Sequence, residues 1–297
     1  MIYSVYIADI DLHFPDNLLG GYADDYNVTI SDKDPDIIIN KSEKILSQIK
    51  DYYSKLGLSM NQEKTEFLMF RPKPDKRKYT INAGGQSIPE SENIQFLGVE
   101  MSNDLCWKKH IDKVCQTVTL RTGLINRLKF KLQPAQLTVL VHGIILSHVK
   151  YCMSIYTSVR IKEDDARNGQ FNKLQVQLNN IARLIHGIKR EDRVSKEDLA
   201  RMSPWVSFNH MSAIAIIMDS WRALNDPSLS TMYTCEYTRN TRSASNEILK
   251  PSQHNYSNFV AQGLKLLNDP RFSIVRNISD PKHVKNHVKA NLKTLPL

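Results

Sequence analysis

The sequence predicts an α+β chain in two parts: a mixed stretch of about a hundred residues, then a helical remainder. Two observations predict it. Short apolar runs separated by Gly-rich turns recur up to Met101. From Trp107 onward, apolar residues return at helical intervals.

In the first part, Leu18 to Ile30 (LLGGYADDYNVTI) reads as strand, tight turn and strand, with Gly20 and Gly21 permitting close backbone approach and the bend at Ala23 to Asp25. Residues 37–56 place Ile37, Ile38, Ile45, Leu46, Ile49, Tyr52, Tyr53 and Leu56 at helical spacing, and Gly57 stops the helix. Glu66 to Phe70 reads as a buried strand and residues 71–78 as a basic loop. Tyr79 to Ile88, with Gly84-Gly85, and Ile94 to Met101 read as hairpins.

In the second part, Ile111, Val114, Val118, Leu124 and Leu128 form one helical stripe, with Lys108, Lys109, Lys113, Arg121, Arg127 and Lys129 around it. Pro134 starts a second helix through Leu146, and Phe171 to Ile185 is a third, ending at Gly187. Ser195 to Asp198 forms a capping pattern, and a long apolar helix follows over about His210 to Leu224. Residues 228–256 are polar and read as a loosely ordered connection before terminal helices at Phe259–Leu267 and His283–Leu292. Trp107, Phe130 and Trp205 are expected as core anchors rather than base-stacking platforms.

The formal net charge is +9, but it is divided. Residues 1–70 hold 6 Lys and no Arg against 9 Asp and 3 Glu, a balance of −6, so the rest of the chain carries +15. An acidic end joined to a basic body suits a cation site beside a phosphate-binding surface; an uneven but inert surface has the same letters. Cys106, Cys115, Cys152 and Cys235 show no zinc-ligand spacing and read as reduced, mostly packed thiols of an intracellular protein. No signal peptide and no apolar run long enough to span a membrane is found.

Two adjacent carboxylates, Asp24 and Asp25, on one turn repel each other unless a cation neutralises them. Mg²⁺ prefers such hard oxygens together with substrate phosphates, whereas a solvated Asp-Asp turn needs no cation at all.

Tyr22-Ala23-Asp24-Asp25 between apolar strands resembles the Y-x-D-D hairpin of reverse transcriptases. The segments after it follow in that family's order: Gly57 to Glu66 with its Asn61 and Lys64-Thr65, Phe96-Leu97-Gly98-Val99, and Trp107 to Ile111. Further pieces, Tyr151 to Tyr156, Leu184 to Gly187, Pro204-Trp205 and Leu267 to Pro270, are similar to the C-terminal half of non-LTR (LINE-type) retrotransposon enzymes, especially the jockey and CR1-like groups.

The resemblance implies a partial reverse-transcriptase palm over 1–104, an all-α thumb or connection over 105–227, and a linker with C-terminal helices over 228–297. It implies an RNA-directed DNA polymerase acting on an RNA template and a DNA primer with two Mg²⁺ ions. Asp24 would be the principal metal ligand and Asp25 its weaker companion, with Lys64 near the leaving pyrophosphate, although by its residue type alone Lys64 is an ordinary surface lysine. Tyr22, Phe96, Leu97, Gly98, Lys108 and Lys109 would contact nucleic acid.

Two departures accompany the resemblance. The strand that would bring the first catalytic Asp, and the fingers, are not found before the hairpin, so the chain is expected to be inactive unless an N-terminal fingers and palm portion is supplied. The resemblance places Asp9 and Asp11 on a helix end, so that they would not replace that carboxylate. Tyr26 stands where the family has a small Thr or Ser. The alternative to an enzyme is a non-catalytic remnant that binds nucleic acid through its basic helical domain.

Overall fold

The computed structural model describes residues 6–14, 18–71, 77–83, 85–162, 169–189, 191–229, 233–234, 249–251 and 258–296. The chain divides into two compact units, Met1–Cys106 and Trp107–Leu297.

In the first unit a short helix α1 (Ile10–His13) precedes the antiparallel hairpin β1 (Leu18–Tyr22) and β2 (Asp25–Thr29). Helix α2 (Pro35–Lys55) follows. Its start is set by Asp34, whose carboxylate accepts the Asp36 N–H at 2.9 Å, and by Pro35 in the first helical position. Its end is set by Gly57 at φ +71°. The buried face of α2 presents Ile45, Ile49, Tyr52 and Tyr53 to Ile7, Ile10 and Phe14, and Leu19, Tyr26 and Val28 of the hairpin pack on the same cluster.

Two further hairpins complete the unit: β3 (Thr80–Ala83) with β4 (Gln86–Pro89), and β5 (Asn93–Phe96) with β6 (Val99–Ser102). Each forms a separate two-stranded sheet. The strand expected over Glu66 to Phe70 is not present. Only a single parallel bridge, Phe67 to Glu90, forms there, with the Ser91 N–H donating to the Phe67 carbonyl at 2.8 Å. Extending that ladder towards Thr65 requires an N–H from residue 89, which is Pro89 and has none.

The second unit is helical. Helix α3 (Lys108–Leu128) precedes α4 (Pro134–Leu140), which runs through a π-helical stretch, Val141–Leu146, into α5 (Ser147–Lys150). Cys152, at φ +51°, turns the chain into α6 (Met153–Tyr156). Next come α7 (Gly169–Ile185), α8 (Lys196–Met202) and α9 (Phe208–Asn225). A short pairing of β7 (Tyr233–Thr234) with β8 (Lys250–Pro251) is followed by α10 (Asn258–Leu267) and α11 (Pro281–Asn291). Most of the connection expected over 228–256 lies outside the described residues.

Two apolar clusters hold this unit. One joins α3, α5 and α7 through Ile111, Val118, Val149, Leu174 and Leu178. The other joins α9, α10 and α11 through Ile216, Ile217, Leu267, Val284 and Val288. Arg271 ties the second cluster's rim together: its guanidinium donates to Asp269 at 2.8 Å and to the Thr294 carbonyl at 2.8 Å, while its own carbonyl contacts His287 Nε2 at 3.0 Å.

The three expected aromatic anchors divide. Trp205 is buried and Trp107 is half-buried against the core. Phe130 is not an anchor: it is 86% exposed, because it follows the C-cap of α3, beyond the last turn with a buried face. Among the cysteines, Cys115 is buried and Cys152 partly so, but Cys106 is exposed; all three are free thiols.

Candidate functional site

The carboxylate pair is displayed by a hairpin whose register is Leu18 to Thr29, Gly20 to Asn27, Gly21 to Tyr26 and Tyr22 to Asp25. Two residues, Ala23 and Asp24, make the loop. Ala23 has φ +55° and Asp24 does not share the positive sign, which is the pattern of a type II′ turn, where glycine is normally preferred at the first position. The alanine there carries strain of about 1 kcal/mol. Asp24, Asp25 and Tyr22 are all exposed, Tyr22 by 69%.

Strand alternation separates the two sides of the hairpin. Leu19, Tyr26 and Val28 point to the core, and Tyr22, Asp25 and Asn27 to the opposite face. This resolves the size of Tyr26. A Cβ placed on Gly21 would lie 2.6 Å from the Tyr26 ring, so the missing side chain of Gly21 is what makes room for that ring. On the other face a Cβ at Gly20 would lie 2.5 Å from Asn27 Oδ1. The double glycine therefore serves the two bulky residues opposite it, a role the sequence pattern did not reveal.

Asp9 does not join the pair. Its carboxylate accepts the Tyr52 hydroxyl at 2.6 Å and lies 3.3 Å from His13 Nε2, and the Tyr52 hydrogen bond pulls its pKa below the ordinary carboxylate value.

Lys64 ends a 3₁₀ turn, Gln62–Lys64, with an exposed side chain. The turn is organised by Asn61. Its carbonyl accepts the Thr65 hydroxyl at 2.9 Å, and its side-chain oxygen accepts the Lys64 N–H at 3.3 Å. Leu58 and Met60, just before the turn, pack in the same cluster as the β1–β2 hairpin. The pair and the Lys64 turn thus grow from one core.

Phe96, Leu97 and Gly98 belong to the separate β5–β6 hairpin, outside that cluster. Leu97 at φ +45° and Gly98 at φ +83° make a type I′ turn, and Phe96 and Leu97 are half-buried. Lys108 and Lys109 stand in the second unit, on the first turn of α3, exposed and with no acidic residue in that turn. Cations at a helix N-terminus oppose its dipole by about 0.3–1 kcal/mol each.

Two exposed carboxylates at one turn are the hard oxygen donors that a divalent cation selects. As donors they suit Mg²⁺, but the set is short: among the described residues no three or more His, Cys, Asp or Glu side chains come together to hold a metal. The arrangement therefore belongs to the class of exposed carboxylate hairpins able to contribute part of a divalent-cation site.

Residues 1–101 match the family model described as reverse transcriptase (RNA-dependent DNA polymerase). The matched span includes Asp24, Asp25, Lys64 and Phe96 to Gly98, and stops short of Lys108 and Lys109. It supports a reverse transcriptase over about a third of the chain. No curated protein and no solved structure matches the chain. No helix among the described residues is long and apolar enough to cross a membrane.

Proposed function

We propose that this chain is part of an RNA-directed DNA polymerase of the non-LTR (LINE-type) retrotransposon kind, copying an RNA template from a DNA primer. The observation that carries the reading is the family match over 1–101 together with the exposed Asp24-Asp25 turn inside it.

In this reading Asp24 and Asp25 would hold Mg²⁺, which when bound neutralises the reacting phosphates and activates the primer hydroxyl. Tyr22, beside the pair on the solvent face, contacts the primer-template. Lys64 balances the charge that develops on the leaving pyrophosphate. Phe96, Leu97 and Gly98 place the primer end, and Lys108 and Lys109 neutralise phosphates of the duplex. Two-metal chemistry of this kind needs a further carboxylate, from a palm strand packed beside the pair.

The test is primer extension on an RNA template with Mg²⁺, using the chain alone and with a polypeptide bearing that strand. Incorporation that Asp24→Asn abolishes supports the reading. Absence of incorporation in both arrangements sinks it.

One observation favours a second reading, a non-catalytic nucleic-acid binder: the +15 balance after residue 70, with exposed lysines such as Lys108 and Lys109 in no ion pair among the described residues. Its signature is affinity for RNA that falls steeply with salt and is indifferent to Asp24→Asn.

A further inference from the structure

An open cleft of about 520 Å³ lies between α3 and α7. Thr122, Gly123, Asn126 and Lys129 line one wall, and Asn180 and Arg183 the other. No carboxylate lines it. Beyond its chain neighbours and the backbone of its own helix, Gly123 has no heavy atom within 4 Å of where a Cβ would be, so this part of the wall stands open to a ligand.

The donors differ in how far they are committed. One guanidinium nitrogen of Arg183 already donates to the carbonyls of Lys189 at 2.9 Å and Asp192 at 3.2 Å, so that side chain braces the α7 end of the cleft. Thr122 donates to the Val118 carbonyl at 2.7 Å. The exposed carboxamides of Asn126 and Asn180 have no side-chain partner among the described residues. Two facing amides offer paired donors and acceptors, the complement of a nucleobase edge.

Phe130 follows the cleft residue Lys129 in the chain. Its ring is 86% exposed, and the Lys129 ammonium lies 4.9 Å from its centroid. Lys129 therefore belongs both to the cleft wall and to the aromatic platform. The exposed ring, the Lys129 ammonium and the two carboxamides together offer a stacking face, a positive charge and paired donors and acceptors, the groups that a flat, anionic, hydrogen-bonding ligand uses.

We infer that the α3–α7 cleft and Phe130 form a binding site for unpaired nucleotides of a nucleic-acid strand. One base stacks on Phe130, the adjacent base meets Asn126 and Asn180, and Lys129 neutralises the phosphate between them. Stacking needs an unpaired base, so the site selects single strands over duplex. The inference rests on the nucleic-acid-binding reading above, and supplies the place and strand form that reading lacks.

The test is fluorescence anisotropy of the full chain with a labelled single-stranded RNA of about 12 nucleotides. Phe130→Ala is expected to lower affinity about tenfold, and Asn126→Ala with Asn180→Ala to a similar degree, while Phe130→Trp preserves binding. A duplex of the same sequence is expected to lose less than about threefold in each variant. Lys285→Ala with Lys289→Ala, a basic pair on α11, serves as the control for charge alone. All these side chains are exposed except the half-buried Phe130 neighbour Lys129, which is left unchanged, so melting temperature reports that the fold is intact. If the wild-type chain binds and the Phe130 and Asn variants bind equally well, this inference is wrong while the binding reading stands. If the wild-type chain binds no nucleic acid, both fall.

Discussion

The two units bury their chains differently. The largest fully buried side chains, among them Ile111, Ile145, Leu174, Leu178, Ile216 and Phe272, all belong to Trp107–Leu297. The first unit has a smaller core, built by one face of α2 against α1 and one side of a hairpin, and its three hairpins do not join into one sheet. Helices satisfy their own backbone and need only a partner for one stripe, so the second unit closes with local elements. Hairpins leave strand edges unpaired and expose the faces they do not pack, which is where the carboxylates stand.

That contrast can be broken most forcefully in the helical core. Leu174→Ala, at a side chain with no exposure, is expected to cost about 3–4 kcal/mol of unfolding free energy in the second unit, whereas Ile49→Ala in the first costs about 2. Denaturant unfolding followed by hydrogen exchange in each unit checks this; equal losses would mean that the first core is as tightly packed as the second.

Acid sharpens the comparison next. Hydrogen bonding from Arg271 holds the Asp269 carboxyl below its ordinary range. A carboxyl depressed in the folded state contributes stability above its unfolded pKa of about 3.9 and loses it as pH falls through the folded value. The second unit should therefore weaken below about pH 4, with a shallower acid limb in Asp269→Asn. Melting curves of both proteins across that range would refute the assignment by staying parallel.

Smaller effects are expected at the hairpin. Gly21→Ala drives a methyl into the Tyr26 ring and should cost about 1 kcal/mol, and the loss should disappear when Tyr26→Ser is made as well. A double-mutant cycle measures the coupling; additive losses would show that Gly21 and Tyr26 are independent. Ala23→Gly relieves the φ of +55° against the greater unfolded freedom of glycine, and a gain of about 0.5 kcal/mol is expected. A loss there would mean that the strain is smaller than the freedom glycine adds to the unfolded chain.

Much of this was legible in the letters, for identifiable reasons. The helix over Pro35–Lys55 follows from its apolar spacing, Asp34 and Pro35 at the start and Gly57 at the end. The hairpins at Thr80–Pro89 and Asn93–Ser102 follow from their Gly-containing turns. The apolar content of Glu66 to Phe70 predicts a strand, but its pairing depends on a distant residue, Pro89, that cannot donate. The apolar character of Phe130 assigns it to the core, and only its place beyond the end of α3 puts it in water. The role of Asn61 in shaping the Lys64 turn has a local signal, an Asn three residues before the lysine, which the Asx-turn preference could have found.

At the candidate site the same division holds. The amino-acid order by itself determined that two carboxylates share a tight turn between apolar strands, because alternation and turn chemistry are properties of neighbours. It also determined the segregation of charge between the two parts of the chain. Only the tertiary structure decided which face of the hairpin meets the core, why Gly21 admits Tyr26, that Asp9 is engaged by Tyr52 rather than free, and that Asn126 and Asn180 face one cleft from two helices. Those outcomes depend on groups far apart in sequence meeting at contact distance, and no local pattern encodes which of them meet.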